Sequence, residues 1–322
     1  MMAPLRYSGS AMVQTTRIMP LDDEAIAEAT LLILAGEPVA VPTETVYGLA
    51  ADATNAEAVA GIYAAKGRPS FNPLIVHVPN LATAEGIGVF DSHARELAEQ
   101  HWPGPLTLVV PLRRDAGIAS IVTAGLATIA LRVPAHAAMQ ALLKACGRPL
   151  AAPSANASGQ ISPTRASHVL ASLGGRIPLV IDGGATQRGI ESTIVAATDG
   201  SLRLLRRGPI EIAAASQLAT NVIEAPGQLA SHYAPRKPLR LDALVAEGDE
   251  FLIGFGSVKG DVSLSDSGDP IEAAAHLFDS LHQADEAPQS RIAVAPVPGD
   301  GIATAIRDRL NRAAAPRSST SA

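Results

Sequence analysis

Four short segments of the 322-residue chain gather side chains able to bind or polarise a ligand. Residues 42–49 read PTETVYGL, and 66–73 read KGRPSFNP before running into LIVH at 74–77. Residues 153–159 read PSANASG, with Ser162 shortly after, and 189–193 read GIEST. Each is polar where a strand would meet a loop, the edge at which α/β sheets carry their sites. Lys66 and Arg68 flank Gly67 and precede Pro69, an irregular backbone that can aim two cations one way. Arginine grips phosphate oxygens bidentately and lysine adds a mobile point charge. The same pair beyond a helix end would also complement the helix dipole, so phosphate binding and capping both stand. Ser154, Asn156 and Ser158 form either a ring of hydroxyls and amides for a polar ligand or an ordinary turn.

Other chemistries fail on pattern. Residues 184–189 read GATQRG but Ile190 follows instead of lysine, so a nucleotide site here is not a P-loop. The chain has no GxSxG elbow and no HExxH motif. The eight histidines lack ligand spacing, and His136 and His168 read as exposed helix residues. Cys146 is the single cysteine, which excludes an internal disulfide and reads as a small buried hydrophobe.

Charge distribution says more than the net charge of -6, which argues against a general nucleic-acid binder. Residues 58–84 carry no acid, only Lys66 and Arg68. Residues 116–181 again carry none, where average density would place about six, yet include Arg132, Lys144, Arg148, Arg165 and Arg176. Such segments suit a small polyanion such as a triphosphate, or are an alanine-rich core with incidental cations. From residue 236 onward 13 acids outnumber 9 Lys and Arg, so the C-terminal part is acidic where the first domain's candidate site is basic.

The elements that must position these residues follow from period and punctuation. Asp22 opens a helix that Gly36 stops, and Asn55 caps another running through Ala65 to Gly67. Strands are expected at 38–42, 74–78, 106–112, 128–133, 150–153, 179–182, 192–196 and 202–206, with helices at 91–101 and 135–146. Residues 43–49 read as a polar turn. Beyond a Pro- and Gly-rich connector at 219–238, strands are expected at 239–242, 251–255 and 291–297, with helices at 270–282 and 302–313. This is a mixed α/β chain of two domains. Apolar runs are strand-sized, far short of the ~20 residues a membrane span needs. Residues 1–17 lack the apolar stretch of a secretory signal and read as a loose leader, with Met1 or Met12 as the start. A cytoplasmic protein is expected.

PTETVYGL, KGRPxxNPLIVH, SANxSG and GIEST, in this order, resemble the YrdC-like threonylcarbamoyl-AMP synthase family over about residues 21–208. Residues 226–235, PGQLASHYAP, resemble the linker of its two-domain members. The resemblance implies a YrdC-like twisted sheet with a concave basic site, plus a small Rossmann-like α/β domain. The implied boundaries are a leader at 1–20, a catalytic domain at 21–210, a linker or lid at 211–238, a second domain at 239–315 and a tail at 316–322. It also implies an activity: threonine, bicarbonate and ATP give threonylcarbamoyl-AMP and pyrophosphate. A separate transferase complex then modifies the adenosine beside a tRNA anticodon, so direct tRNA binding is expected to be weak or absent.

Residue by residue, the resemblance implies a threonine pocket of Thr45, His77, Arg132, Ala152 and Ser192. Ala152 can offer only backbone or shape. It implies an ATP site of Arg68, Asn72, Thr128, Ser154, Ser162, Arg206 and Tyr233, with Lys66 neutralising the triphosphate and Asn156 in support. No general base is obvious, and positioning with charge neutralisation can carry nucleotidyl transfer. Mg²⁺ is expected with ATP, held by phosphates and water. Tyr233 either packs under its own loop or covers the nucleotide. AADA at 50–53 replaces a more usual Gly after Leu49, which would tighten that turn. Two rivals are a nucleic-acid-binding module, opposed by few aromatics, and a carbamoyltransferase, whose zinc-finger segments one cysteine cannot supply.

Overall fold

The computed structural model describes residues 15–215, 224–227 and 233–316. The chain begins with β1 (Arg17–Pro20), α1 (Asp23–Leu34), β2 (Val39–Val41), β3 (Gly48–Asp52), α2 (Ala56–Lys66) and β4 (Ile75–His77). Next come α3 (Leu81–Ile87), α4 (Ser92–His101), β5 (Leu106–Pro111), α5 (Ser120–Thr123), β6 (Thr128–Arg132), α6 (Ala137–Cys146) and β7 (Leu150–Ala151). The first domain closes with α7 (Ala166–Leu173), β8 (Leu179–Asp182), β9 (Thr193–Thr198) and β10 (Ser201–Arg206). Ten strands form one mixed sheet in the order β1-β8-β2-β3-β7-β4-β6-β5-β9-β10.

Local chemistry sets the helix ends. The Asp22 carboxylate accepts from the Ala25 amide, and Asn55 accepts from the Glu57 and Ala58 amides. Gly67 closes α2 at φ 58°, a left-handed conformation that other residues reach only with strain. Where period is short, tertiary pairing decided instead. The expected leader contains β1, whose Arg17 to Pro20 pair in parallel with Leu179 to Asp182. Its four residues show no alternation, so only the non-local partner reveals them as a strand. The rest of that leader, residues 1–14, lies outside the described residues. Residues 50–52 are not part of a turn but belong to β3, buried on both faces. Alanine has weak strand preference, and the run is a strand because it is sandwiched between β2 and β7.

The second domain comprises β11 (Leu239–Arg240), β12 (Glu250–Gly254), β13 (Val262–Ser263), α8 (Pro270–Glu286), β14 (Arg291–Val294) and α9 (Ile302–Ala314). Its four strands lie in the order β11-β14-β12-β13, all parallel. Among the described residues no helix is long and apolar enough to cross a membrane. Its core is not confined to the second domain. Val46, Ile161 and Ile190 from the first domain pack in the same apolar cluster as Leu277, Phe278, Ile306 and Leu310. His168, expected on a helix surface, is buried instead, its ring stacked on His282 of α8 at 3.8 Å. Residues 219–223 and 228–232 of the expected connector lie outside the described residues, as does 317–322 of the expected tail.

Candidate active site

One cavity collects residues from all four motif segments, Arg68 alone of the 66–73 cations, together with the connector. One side of it is built by register. Parallel pairing of β4 with β6 sets His77 opposite Arg132 at their carboxyl ends. Arg132 is buried and spends three N–H groups at once: on Glu44 Oε1 at 2.6 Å, Thr45 Oγ1 at 3.0 Å and the Gly104 carbonyl at 3.2 Å. Burial pushes the Glu44 carboxyl up, but the Arg132 guanidinium beside it outweighs that and holds it below its ordinary value. Thr43 Oγ1 lies 2.8 Å from Thr45 Oγ1 and donates to the Val46 carbonyl at 2.7 Å, which bends residues 43–46 into the cavity. Burial, with Arg132 nearby, drives the His77 imidazole down to about 3, so the ring is neutral. Ala152 lines the wall as shape, its amide bonded to the Ile75 carbonyl at 2.9 Å.

The other side is cationic. Arg68 lines the cavity, with Nε and Nη2 donating to the carbonyls of Asn72 at 3.2 Å and Pro73 at 2.9 Å. Arg206, at the end of β10, donates to the Ser192 carbonyl at 3.0 Å and Ser192 Oγ at 3.0 Å. Gly227 stands against both Arg206 and Tyr233: a Cβ there would lie 2.8 Å from Tyr233 Oη and 3.0 Å from Arg206 Cδ. Tyr233 is fully buried, lines the cavity and packs its ring 5.5 Å from Phe278 of α8. Its ring thus packs on the second domain while also lining the cavity.

The structure gathers Thr45, His77, Arg132, Ala152, Arg68, Ser154, Arg206 and Tyr233 around the cavity. Ser192 lies just behind, fully buried, its hydroxyl bonded to Thr107 Oγ1 at 2.7 Å and to Arg206. Asn72 is buried with neither amide atom hydrogen-bonded, an arrangement that wants a partner. Lys66 differs from its expected place among the phosphates. Its ammonium is buried and donates to the Ser154 carbonyl at 2.5 Å and to the Asn156 carbonyl, fastening the SAN loop to the end of α2. Burial, then Arg68, presses its pKa well below the ordinary value. Asn156 is likewise internal, donating to the Ala157 and Gln160 carbonyls. Ser162 donates to Glu191 Oε1 at 2.5 Å and does not line the cavity. Thr128 begins β6, four residues and about 13 Å of strand from Arg132. Sequence reasoning missed Thr43, Glu44 and Glu191, although all three stand beside assigned residues. Nothing in α9 pointed to Arg309, which is fully buried and salt-bridged to Glu191.

Two family models cover the chain: one described as telomere recombination matches residues 31–208, and the threonylcarbamoyl-AMP synthase C-terminal domain matches 186–315. The threonylcarbamoyl-AMP synthase of Bacillus subtilis is 38% identical, with 95% of this chain and 97% of the relative covered. This chain belongs to the threonylcarbamoyl-AMP synthase family. The Pyrococcus abyssi member is 35% identical over 91% of this chain and 95% of its own. A crystal structure of P. abyssi Sua5 complexed with L-threonine matches with a TM-score of 0.85 at 34% identity, covering 93% of this chain and 98% of that one. Escherichia coli YciO, at 19% identity and a TM-score of 0.56, shares the fold of the first domain. The C-terminal model begins at 186 and so includes GIEST, in keeping with the packing of that synthase segment against α8 and α9.

Proposed function

We propose that the chain synthesises L-threonylcarbamoyl-AMP from L-threonine, bicarbonate and ATP, releasing pyrophosphate. The observation that carries this reading is one cavity lined by Arg132, Thr45 and His77 together with Arg68 and Arg206. A guanidinium has five N–H groups, and three of Arg132's are engaged, so two remain for the threonine carboxylate. The threonine amine adds to the bicarbonate carbon, water leaves, and a carbamate forms. A carbamate oxygen then bonds to the α-phosphorus of ATP while the bond to the β-phosphoryl oxygen breaks, and pyrophosphate departs. Arg68 and Arg206 face the charge that this displacement moves, and fixed cations in a cavity need no reorganisation during the step. Tyr233 and Gly227 wall the cavity and keep water from a labile carbamate. Mg²⁺ would accompany ATP and help carry the phosphate charge. Glu44 and Glu191 are already paired with arginines, which leaves phosphate oxygens and water as its ligands.

The product would pass to a tRNA-modifying transferase complex in the cytoplasm. The deciding experiment supplies radiolabelled bicarbonate with threonine and ATP and looks for a labelled adenylate. Pyrophosphate release at full rate without threonine would replace this reading with a plain ATPase.

A further inference from the structure

Glu191 is the one carboxylate among the described residues that line the cavity, and it stands on the side that carries Arg206. Its Oε1 accepts from Ser162 at 2.5 Å, and its Oε2 accepts from Arg309 Nε at 3.1 Å. Arg309 belongs to α9 of the second domain and is completely buried. Its Nη1 reaches Asp308 at 3.2 Å, which Arg312 also holds, so the four charges cancel as a set. Its guanidinium carbon lies 5.6 Å over the Tyr233 ring, itself a wall of the cavity. The backbone is clamped as tightly. A Cβ on Gly189 would lie 2.3 Å from the Ala274 carbonyl oxygen and 2.4 Å from that of Ala275, both on α8. The GIEST loop therefore takes its position from the second domain.

An unpaired carboxylate here would oppose a polyanionic ligand, and low-dielectric surroundings would magnify the repulsion. We propose that Arg309 is a positioning residue for the nucleotide. By neutralising and orienting Glu191 it leaves Arg68 and Arg206 as uncompensated cations for the phosphates, which makes the second domain part of the catalytic site. This rests on the synthase reading of the same cavity.

The test measures ATP and threonine binding separately, by calorimetry on the full chain, so that turnover is not needed. Arg309→Gln should weaken ATP binding about ten- to a hundredfold, the span expected for a charge-assisted contact, and leave threonine binding nearly unchanged. Arg309→Lys should retain most of the ATP affinity. Glu191→Gln in the Arg309→Gln background should restore it, because the offending charge is gone. Glu191→Gln alone should bind ATP at least as tightly as wild type, and this arm decides the matter should Arg309→Gln fail to fold. Wild-type ATP affinity in Arg309→Gln overturns the proposal. So does equal loss for ATP and threonine, a double variant no better than the single one, or weakened ATP binding in Glu191→Gln. Failure of the wild-type protein to bind ATP would instead overturn the synthase reading.

Discussion

His77 and Arg132 are register partners across the parallel pair β4–β6, which sets a neutral imidazole beside a guanidinium at the same sheet edge. With Thr45 Oγ1 held by that guanidinium, the cavity there presents fixed polar groups beside the apolar lining of Ile75 and Ala152. A site built to read a hydroxyl discriminates strongly against a ligand lacking one. Serine should therefore be a somewhat poorer substrate than threonine, and 2-aminobutyrate a far worse one. Competitive pyrophosphate-release assays check this, and equal use of 2-aminobutyrate would show that the pocket does not read the hydroxyl.

Lys66 and Arg68 should separate in mutation although they are two residues apart. Arg68→Ala should lose about ten- to a hundredfold in ATP use, a charge-assisted contact, with a smaller fall in melting temperature, because Arg68 is only half-buried and the Asn72 carbonyl it leaves keeps Tyr63 Oη. Lys66→Ala should lose stability as well. It strips the buried Asn156 carbonyl of its donor, at about 1–3 kcal/mol for a group left unsatisfied, while the Ser154 carbonyl keeps the Asn156 amide. Equal melting temperatures for the two variants would return Lys66 to the phosphate site.

Gly227 has φ 86° and no room for a side chain between Tyr233 and Arg206. Gly227→Ala should cost about 1–2 kcal/mol of backbone strain and displace one of those two groups. The expected readout is a fall in kcat/KM larger than the loss of stability explains. Unchanged kinetics would mean that the connector only tethers the domains.

The shared core alters what a cut between residues 208 and 225 should do. Val46, Ile161 and Ile190 lose their apolar neighbours when the second domain is removed. The first domain alone should bind a hydrophobic dye, melt earlier and lack activity. A fully active, dye-negative first domain would refute the shared core.

Acid should loosen the contact between the domains. Burial holds His168 at about 3 and His282 at about 4, against an ordinary 6.5, and the neighbouring ring adds to the effect on His168. Asp279 and Arg165 face His168, while Asp279, Asp285 and Arg236 face His282. Because both folded values are depressed, the unfolded chain binds the protons that the folded chain refuses. Stability is then complete above about pH 6.5 and is lost as pH falls from there toward 4. His168→Asn should flatten the decline in melting temperature across that window. A decline as steep as wild type would assign the effect to other groups, His77 first among them.

The ligand segments were legible in the sequence because each is a local solution to a local problem. Gly67 had to close a helix, Asn55 had to cap one, and Thr45, Ser154 and Arg68 sit on short polar loops that line the cavity. Ala152, whose side chain can offer only shape, lines the same wall. What tertiary structure alone decided are pairings between distant residues. The strand at Arg17–Pro20 exists because β8 lies beside it, and residues 50–52 form a strand because two neighbours enclose them. Lys66 turned inward to the carbonyls of Ser154 and Asn156, some ninety residues on, the second of which has no other donor among the described residues. Arg309 met Glu191 across 118 residues, on a helix with no motif. A buried charge must find its counter-charge wherever the fold delivers one, and that delivery is not written in the residues on either side of it.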